Sequence, residues 1–130
     1  QIIKAPTLQP YDDDKHCVLT VDASAYGLEV ELSQLYGKNK CTVANASRTL
    51  NNTERKYSVI EKVLLACMWA VNQFRRFMWR KRFTLSTYHK PLTHILSPRG
   101  GLNNTARIAR LCSKLQEYSF EVSYVPGCNN

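Results

Sequence analysis

The chain of 130 residues contains 44% hydrophobic, 10% aromatic and 22% charged residues, which excludes a disordered, collagen-like or low-complexity protein. This length suits one domain with a core of its own. No stretch approaches the roughly 18 consecutive apolar residues of a membrane-spanning helix, so we expect no membrane partner. No basic-then-apolar leader opens the chain, and five scattered cysteines without paired spacing predict reduced thiols rather than disulfides or zinc. We therefore expect an intracellular protein, nuclear or cytoplasmic.

The net charge of +8 comes entirely from the second half of the chain. Residues 1–70 contain eight Lys/Arg and eight Asp/Glu, whereas residues 71–130 contain ten Lys/Arg and only two Asp/Glu. Cations concentrated in this way suit a polyanion such as nucleic acid. A general solubility charge on a basic protein would give the same count, so both interpretations stay open at this point.

Hydrophobic periodicity predicts a series of short elements after a lead-in segment at residues 1–16, which is rich in proline and aspartate. Strands are expected over residues 17–21, 28–33 and 40–47, as an antiparallel meander. Ser58, followed three residues later by Glu61, fits a capping box. Apolar residues at helical spacing then predict one helix as far as about Trp79.

The rest of the chain alternates between strands and helices. We expect a fourth strand over residues 83–87, a short helix over 89–96, a third helix from 105 to about 118, and a fifth strand over 120–125. The order β-β-β-α-β-α-α-β predicts one α/β domain over residues 17–130. Gln1 looks like a cut from a longer protein.

This order of elements, with Asp22 at the end of the first strand, resembles the ribonuclease H fold, a mixed five-stranded sheet with flanking helices. Several motifs make the chain similar to the RNase H domain of Ty3/gypsy-type reverse transcriptases in particular. They are Leu19-Thr20-Val21-Asp22-Ala23-Ser24, Ala46-Ser47-Arg48-Thr49-Leu50 with Glu54 and Tyr57, Phe83-Thr84-Leu85 with His89-Lys90-Pro91-Leu92, and Tyr124-Val125-Pro126-Gly127.

The resemblance implies an enzyme that cuts the RNA strand of RNA–DNA hybrids with two divalent metals. It also implies four carboxylates: at the end of strand one, in the first turn of the main helix, at the end of strand four, and on a final helix. Asp22 matches the first of these, but Val63 and Tyr88 stand at the second and third. The final helix, with the fourth carboxylate, is expected beyond Asn130.

These departures predict a vestigial site made of Asp22, Val63 and Tyr88. Valine cannot ligate a metal, and tyrosine, neutral near pH 7, is a poor Mg²⁺ ligand. We therefore expect no bound metal and no cofactor. Mg²⁺ or Mn²⁺ would be needed only if Glu29, expected opposite Asp22, rebuilt a partial site. Glu61 is expected to point away and to cap the helix.

Cations of the second half are the candidate nucleic-acid-binding residues, because rows of Lys/Arg contact phosphates without reading sequence. Solvated helix faces are the alternative explanation. Trp69, Trp79 and Tyr88 could stack on bases, although a core position is favoured for Trp69. The candidate cations are Arg75, Arg76, Arg80, Lys81, Arg82, Lys90, Arg107, Arg110 and Lys114.

Together these features predict a catalytically inactive RNase H-like module of retroelement origin, retained for weak, non-specific nucleic-acid binding or as a scaffold. Such a module would fit an eroded retroelement copy. It would also fit a host gene domesticated from a retroelement, of the type that joins an NYN nuclease domain to an integrase. The alternatives are an active RNase H and a protein-interaction or dimerisation domain.

Overall fold

The computed structural model describes residues 10–89 and 106–125. Within these residues the chain forms five strands, one 3-10 turn and three α-helices. In chain order they are β1 Cys17–Ala23, β2 Gly27–Tyr36, β3 Asn39–Thr49, the 3-10 turn Glu54–Lys56, α1 Val59–Gln73, α2 Arg75–Met78, β4 Arg82–Thr87, α3 Ala106–Leu115 and β5 Ser119–Tyr124.

The strands form one sheet in the order β3-β2-β1-β4-β5. β1, β2 and β3 are antiparallel neighbours, as the predicted meander requires, whereas β4 pairs in parallel with β1 and β5 in parallel with β4. The predicted α/β fold with a mixed five-stranded sheet is therefore confirmed. None of the described helices has the length and apolar character needed to cross a membrane.

The core lies between one face of the sheet and the helices. Leu19 and Val21 of β1 are completely buried and stand opposite Leu32 and Val30 of β2, which follows from the two-residue alternation of a strand. α1 covers this face with its apolar stripe. The expected core position of Trp69 is confirmed, since its partly buried side chain packs against this cluster.

α1 begins at the predicted capping box. The Ser58 hydroxyl accepts the Glu61 backbone N–H at 3.3 Å, and the Glu61 carboxylate accepts the Ser58 N–H at 2.8 Å. The prediction of one unbroken helix as far as Trp79 is wrong, because Phe74 leaves helical geometry at φ −112° and ψ 28°. Phe74, at the break, and Met78, at the end of α2, are both buried in the core.

The later elements follow the prediction more loosely. The third helix ends at Leu115 rather than near residue 118, because β5 already begins at Ser119. The short helix expected over residues 89–96 lies outside the described residues except for His89, which is not helical. Cys17, Cys41, Cys67 and Cys112 are free thiols.

Residues 10–16, which precede β1, are fastened to the domain by two side chains. Gln34, fully buried, accepts the Asp12 N–H at 2.9 Å and donates to the Asp12 carbonyl at 2.7 Å. Lys81 donates to the Tyr11 hydroxyl at 2.7 Å and to the Asp13 carbonyl at 2.8 Å. This part of the lead-in therefore packs as part of the domain.

The link between β3 and α1 is held by a bidentate ion pair. Arg48 donates to both carboxylate oxygens of Glu54, at 2.9 and 2.7 Å. Asn51 adds two contacts, since its N–H donates to Glu54 at 3.0 Å and its side-chain oxygen accepts the Glu54 N–H at 2.8 Å. The Arg48 guanidinium, assisted by Asn51, holds the pKa of Glu54 below its ordinary value of 4.5.

This depressed pKa predicts acid sensitivity. A carboxylate whose pKa is lowered by folding stabilises the protein above its unfolded pKa, and the contribution is lost as pH falls through the folded value. Wild-type free energy of unfolding should therefore decline below about pH 4.5. Glu54→Gln should cost about 2 kcal/mol at pH 7 and should flatten this decline, as measured by urea denaturation across pH. The exposed Glu117→Gln is the control, and an unchanged pH profile for Glu54→Gln would contradict the prediction.

Arg80 has a left-handed backbone, with φ 64°. This conformation costs an L-residue about 1–2 kcal/mol, whereas glycine adopts it freely. Arg80→Gly should therefore raise the free energy of unfolding by about 1 kcal/mol. Arg76→Gly, within α2, is the matched control and should lower it by about 1 kcal/mol. Chemical denaturation of both variants tests this, and an Arg80→Gly variant no more stable than wild type would contradict it.

Candidate functional site

Asp22 and Tyr88 come together because β1 and β4 run in parallel. Val21 is paired with Thr87, so the next residue of each strand, Asp22 and Tyr88, lies at the same end of the sheet. We call this the carboxyl end. Tyr88 is 38% exposed, while His89 donates its N–H to Thr87 Oγ1 at 3.0 Å and partial burial lowers the pKa of its imidazole.

Glu29 stands directly opposite Asp22 in the antiparallel β1–β2 pair, which confirms the expected pairing. Both side chains are exposed, and directly opposed residues share one face of a sheet. Asp22 Oδ1 also accepts the Ala23 backbone N–H at 2.9 Å. The carboxyl end thus has two neighbouring carboxylates, with Tyr88 after β4 and Tyr124 at the end of β5.

Val63 occupies a different environment from Asp22. Its side chain, 6% exposed, belongs to the core cluster together with Val21, which confirms that valine fits the apolar face of α1. Alternation along β1 directs Asp22 to the opposite face of the sheet from Val21. The proximity of Val63 to Asp22 stays a prediction.

Glu61 has partners at the start of α1 and on α3. Besides capping Ser58, its second carboxylate oxygen accepts from Arg107 at 3.1 Å. The Ser58 N–H, followed by the Ser58 hydroxyl and Arg107, lowers the pKa of Glu61. The expected capping role is confirmed.

An open cavity of about 650 Å³ lies beside the two carboxylates, between the β1–β2 turn and the end of β3. A two-metal hydrolytic site needs several carboxylates around its cations. Among residues 10–89 and 106–125, no three His, Cys, Asp or Glu side chains lie close enough to hold a metal ion. Asp22 and Glu29 alone therefore do not fit the pair of metals implied by the resemblance. The lining includes Asp22, Ser24, Tyr26, Glu29, Ser47 and Arg48.

Most of the candidate cations lie away from this cavity. The cluster from Arg75 to Arg82 surrounds the start of β4, whereas Tyr88 follows the end of that strand. Five residue steps along a strand span about 17 Å. We call the end of the sheet at which β4 begins the amino end. The structure therefore separates the main basic cluster from Asp22.

Three candidate cations already have carboxylate partners. Lys81, besides holding the lead-in, lies 3.7 Å from the Asp13 carboxylate. Arg82 lies 3.7 Å from the Glu121 carboxylate, and Arg107 is paired with Glu61. Because these three side chains are paired with carboxylates, they have fewer N–H donors left for phosphates. Their contribution to nucleic-acid binding stays a prediction.

The remaining candidates divide between two helical regions. Arg110 and Lys114 are exposed on α3, and neither makes an ion pair or ring contact with another residue in the described part of the chain. Arg75 and Arg76 stack on aromatic rings, of Trp79 at 4.3 Å and Phe77 at 4.9 Å. Lys90 lies outside the described residues.

The sequence did not reveal the part played by Tyr118. Its hydroxyl accepts from Arg75 at 3.2 Å, and its ring meets Trp79 edge-on, with centroids 5.6 Å apart. Tyr118 follows Arg75 by 43 residues, so no local spacing links them.

Comparison with known proteins agrees with the fold. Residues 12–118 match the model of the RNase H-like domain found in reverse transcriptase. The chain is 40% identical over 131 residues to the Pol polyprotein of transposon 297 and 35% identical over 130 residues to that of transposon 412, both from Drosophila melanogaster. These alignments cover 99% and 100% of this chain but only 12% and 10% of the polyproteins.

Solved structures share the architecture at low identity. The foamy viral protease–reverse transcriptase superposes with a TM-score of 0.70 at 18% identity, over 93% of this chain and 23% of the viral one. RNase H1 from the archaeon Halobacterium salinarum NRC-1 gives 0.66 at 13% identity, over 88% of both chains. The chain therefore belongs to the family of RNase H-like domains found in reverse transcriptases, with relatives among the Pol polyproteins of Ty3/gypsy-type transposons.

Proposed function

We propose that this RNase H-like domain does not cut RNA and instead binds nucleic acid weakly, without sequence preference. The observation that carries the first half is that Asp22 and Tyr88 directly follow the paired residues Val21 and Thr87, while Val63 is buried in the core. Neither Tyr88 nor Val63 can supply the oxygen anions that hard divalent cations require. Two neighbouring carboxylates, Asp22 and Glu29, are too few to hold a pair of cations in register.

Support for binding comes from charge and from the fold. Residues 71–130 contain ten Lys/Arg and two Asp/Glu, and such an excess attracts polyanions regardless of sequence. The foamy viral protease–reverse transcriptase was solved with dsDNA and with an RNA/DNA hybrid. We therefore expect non-specific binding with a Kd on the order of 10⁻⁴–10⁻⁶ M at physiological salt.

Two alternatives remain outcomes of the tests. Glu29 opposite Asp22 favours, by itself, an active enzyme with an unusual site. A protein-interaction or dimerisation domain would need neither the cations nor the carboxylates. Origin from a domesticated host gene stays a prediction, which the other domains of the parent protein would test.

The first test is hydrolysis of a labelled RNA–DNA hybrid. We expect no cleavage above background with Mg²⁺ or Mn²⁺, because the metal ligands are incomplete, and equal results for wild type and Asp22→Asn. The same hybrid should bind, and its affinity should fall steeply with added salt. Metal-dependent cutting that disappears in both Asp22→Asn and Glu29→Gln would instead establish the alternative active site.

Restoring the lost carboxylates tests the assignment of the vestigial site. Val63→Glu with Tyr88→Asp should lower the metal-free free energy of unfolding by about 1–3 kcal/mol, since it buries a charge and brings like charges together. Mg²⁺ or Mn²⁺ should recover part of that loss through binding to the folded state. Thermal melting with and without metal measures both effects.

A single substitution covers the case in which the double variant fails to fold. Tyr88→Asp leaves the core intact and should gain a smaller metal-dependent rise in Tm. Tyr124→Asp is its matched control, since Tyr124 is equally exposed, at 38%, on the neighbouring strand. If Tyr88→Asp responds to metal no more than Tyr124→Asp, the site is wrongly assigned.

A further inference from the structure

A compact group of aromatic and basic side chains lies at the amino end of the sheet. The Arg75 guanidinium lies 4.3 Å from the centroid of the Trp79 ring. Tyr118 meets the same ring edge-on at 5.6 Å and accepts a hydrogen bond from Arg75 at 3.2 Å. We call Arg75, Trp79 and Tyr118, with the flanking Arg76 and Arg80, the Trp79 platform.

The fold holds this platform in a fixed geometry. Arg107 on α3 is paired with Glu61 at the start of α1, and Tyr118, just beyond α3, contacts Arg75 just beyond α1. The two helices therefore run in parallel and bring their ends together. Trp79 is nevertheless 39% exposed, so a large ring is restrained by its neighbours yet remains accessible.

The platform has cations without carboxylate partners. Among the described residues, Arg75, Arg76 and Arg80 make no ion pair, in contrast to Lys81, Arg82 and Arg107. One guanidinium over the exposed indole, and two more within four residues of it in sequence, leave positive charge that is not neutralised within the described chain. A negatively charged ligand would supply the missing counter-charge.

The conformation of Arg80 adds an independent observation. Its left-handed φ of 64° is one that glycine would adopt without cost, so the arginine is present despite a less stable backbone. A left-handed residue directly after the C-cap is a common way for a helix to end, usually with glycine, and Arg80 follows Trp79, the C-cap of α2. The Arg80 side chain is exposed beside Trp79 and adds one more cation to the platform.

We propose that the Trp79 platform binds single-stranded nucleic acid, with an unpaired base stacked on Trp79 and phosphates held by the arginines. The exposed indole favours single-stranded over double-stranded nucleic acid. Bases in a duplex are already stacked on each other, whereas unpaired bases can stack on aromatic rings and arginine planes. An acidic protein would use the cations but would have no need of the ring. The proposal rests on the proposed function only in assuming that the domain binds nucleic acid.

This site is distinct from the carboxyl end with Asp22. About 17 Å of strand separates the two ends of β4, and no platform residue lines the cavity beside Asp22. The exposed Tyr26 does line that cavity and has Arg55 5.3 Å from its ring centroid. Tyr26 and Arg55 therefore form an aromatic–arginine pair outside the Trp79 platform, which makes Tyr26 a suitable control residue.

The experiment compares binding of labelled oligothymidine and of a blunt DNA duplex by fluorescence anisotropy. Trp79→Ala should weaken oligothymidine binding about tenfold, Trp79→Phe should weaken it less, and Tyr26→Ala should leave it unchanged. Duplex affinity should change less than twofold in all three. Oligothymidine should also quench the fluorescence of Trp79, and this quenching should be absent in Trp79→Phe, which retains Trp69.

Arg80→Gly supplies a second variant that cannot act by unfolding the protein, because it is expected to be more stable than wild type. It should nevertheless weaken oligothymidine binding and reduce the slope of log K against log salt by about 1. Unchanged oligothymidine affinity in Trp79→Ala would overturn the proposal. Polyglutamate that binds the wild type as tightly as oligothymidine of the same charge would also overturn it, in favour of an acidic protein partner. Binding of neither oligothymidine, duplex nor hybrid would overturn the proposed function as well.

Discussion

Parallel pairing of β4 with β1 is the constraint on which the rest of the structure depends. Two adjacent parallel strands cannot be joined by a hairpin, so the chain must return along the length of the sheet, after the meander and through α1 and α2. This return brings the ends of β1 and β4 together at one edge, with Asp22 beside Tyr88. At the amino end of the sheet, Arg75 and Trp79 lie shortly before the start of β4 in the chain. Both candidate sites are consequences of one crossover.

The retained and the lost carboxylates differ in what the fold requires of them. Glu54 and Glu61 are buried and paired with the partly exposed Arg48 and Arg107. Removal of either carboxylate would leave a backbone N–H without its partner, that of Asn51 or of Ser58. Asp22 is exposed and accepts one hydrogen bond, from its neighbour Ala23. Valine at position 63 even adds to the core. The fold therefore has no need of a carboxylate at position 63, and the buried Glu54 and Glu61 are explained by their structural contacts.

Local features of the fold could be predicted from the sequence, and long-range ones could not. The meander, the capping box and the Asp22–Glu29 pairing depend on residues close in sequence, and all three were found. The partners of Arg75 and Lys81 lie 43 and 70 residues away in sequence, and the break at Phe74 coincides with burial of that ring in the core. Charge counting treats all cations of the second half alike. The structure divides them into paired cations, such as Arg107, and the unpaired arginines of the Trp79 platform.

The separation of the two ends of the sheet would let such a domain lose RNA cleavage and keep nucleic-acid binding. Cleavage depends on oxygen ligands at the carboxyl end, whereas stacking and phosphate contacts at the amino end depend on Trp79 and its arginines. About 17 Å of β4 separates the two, and their side chains share no partner among the described residues, so substitutions at one end should affect the other little. If the resemblance holds and positions 63 and 88 correspond to carboxylates, their replacement would remove metal binding without reducing affinity for a strand. A nucleic-acid-binding domain without nuclease activity is thus reachable in this fold by a few substitutions at one end of the sheet.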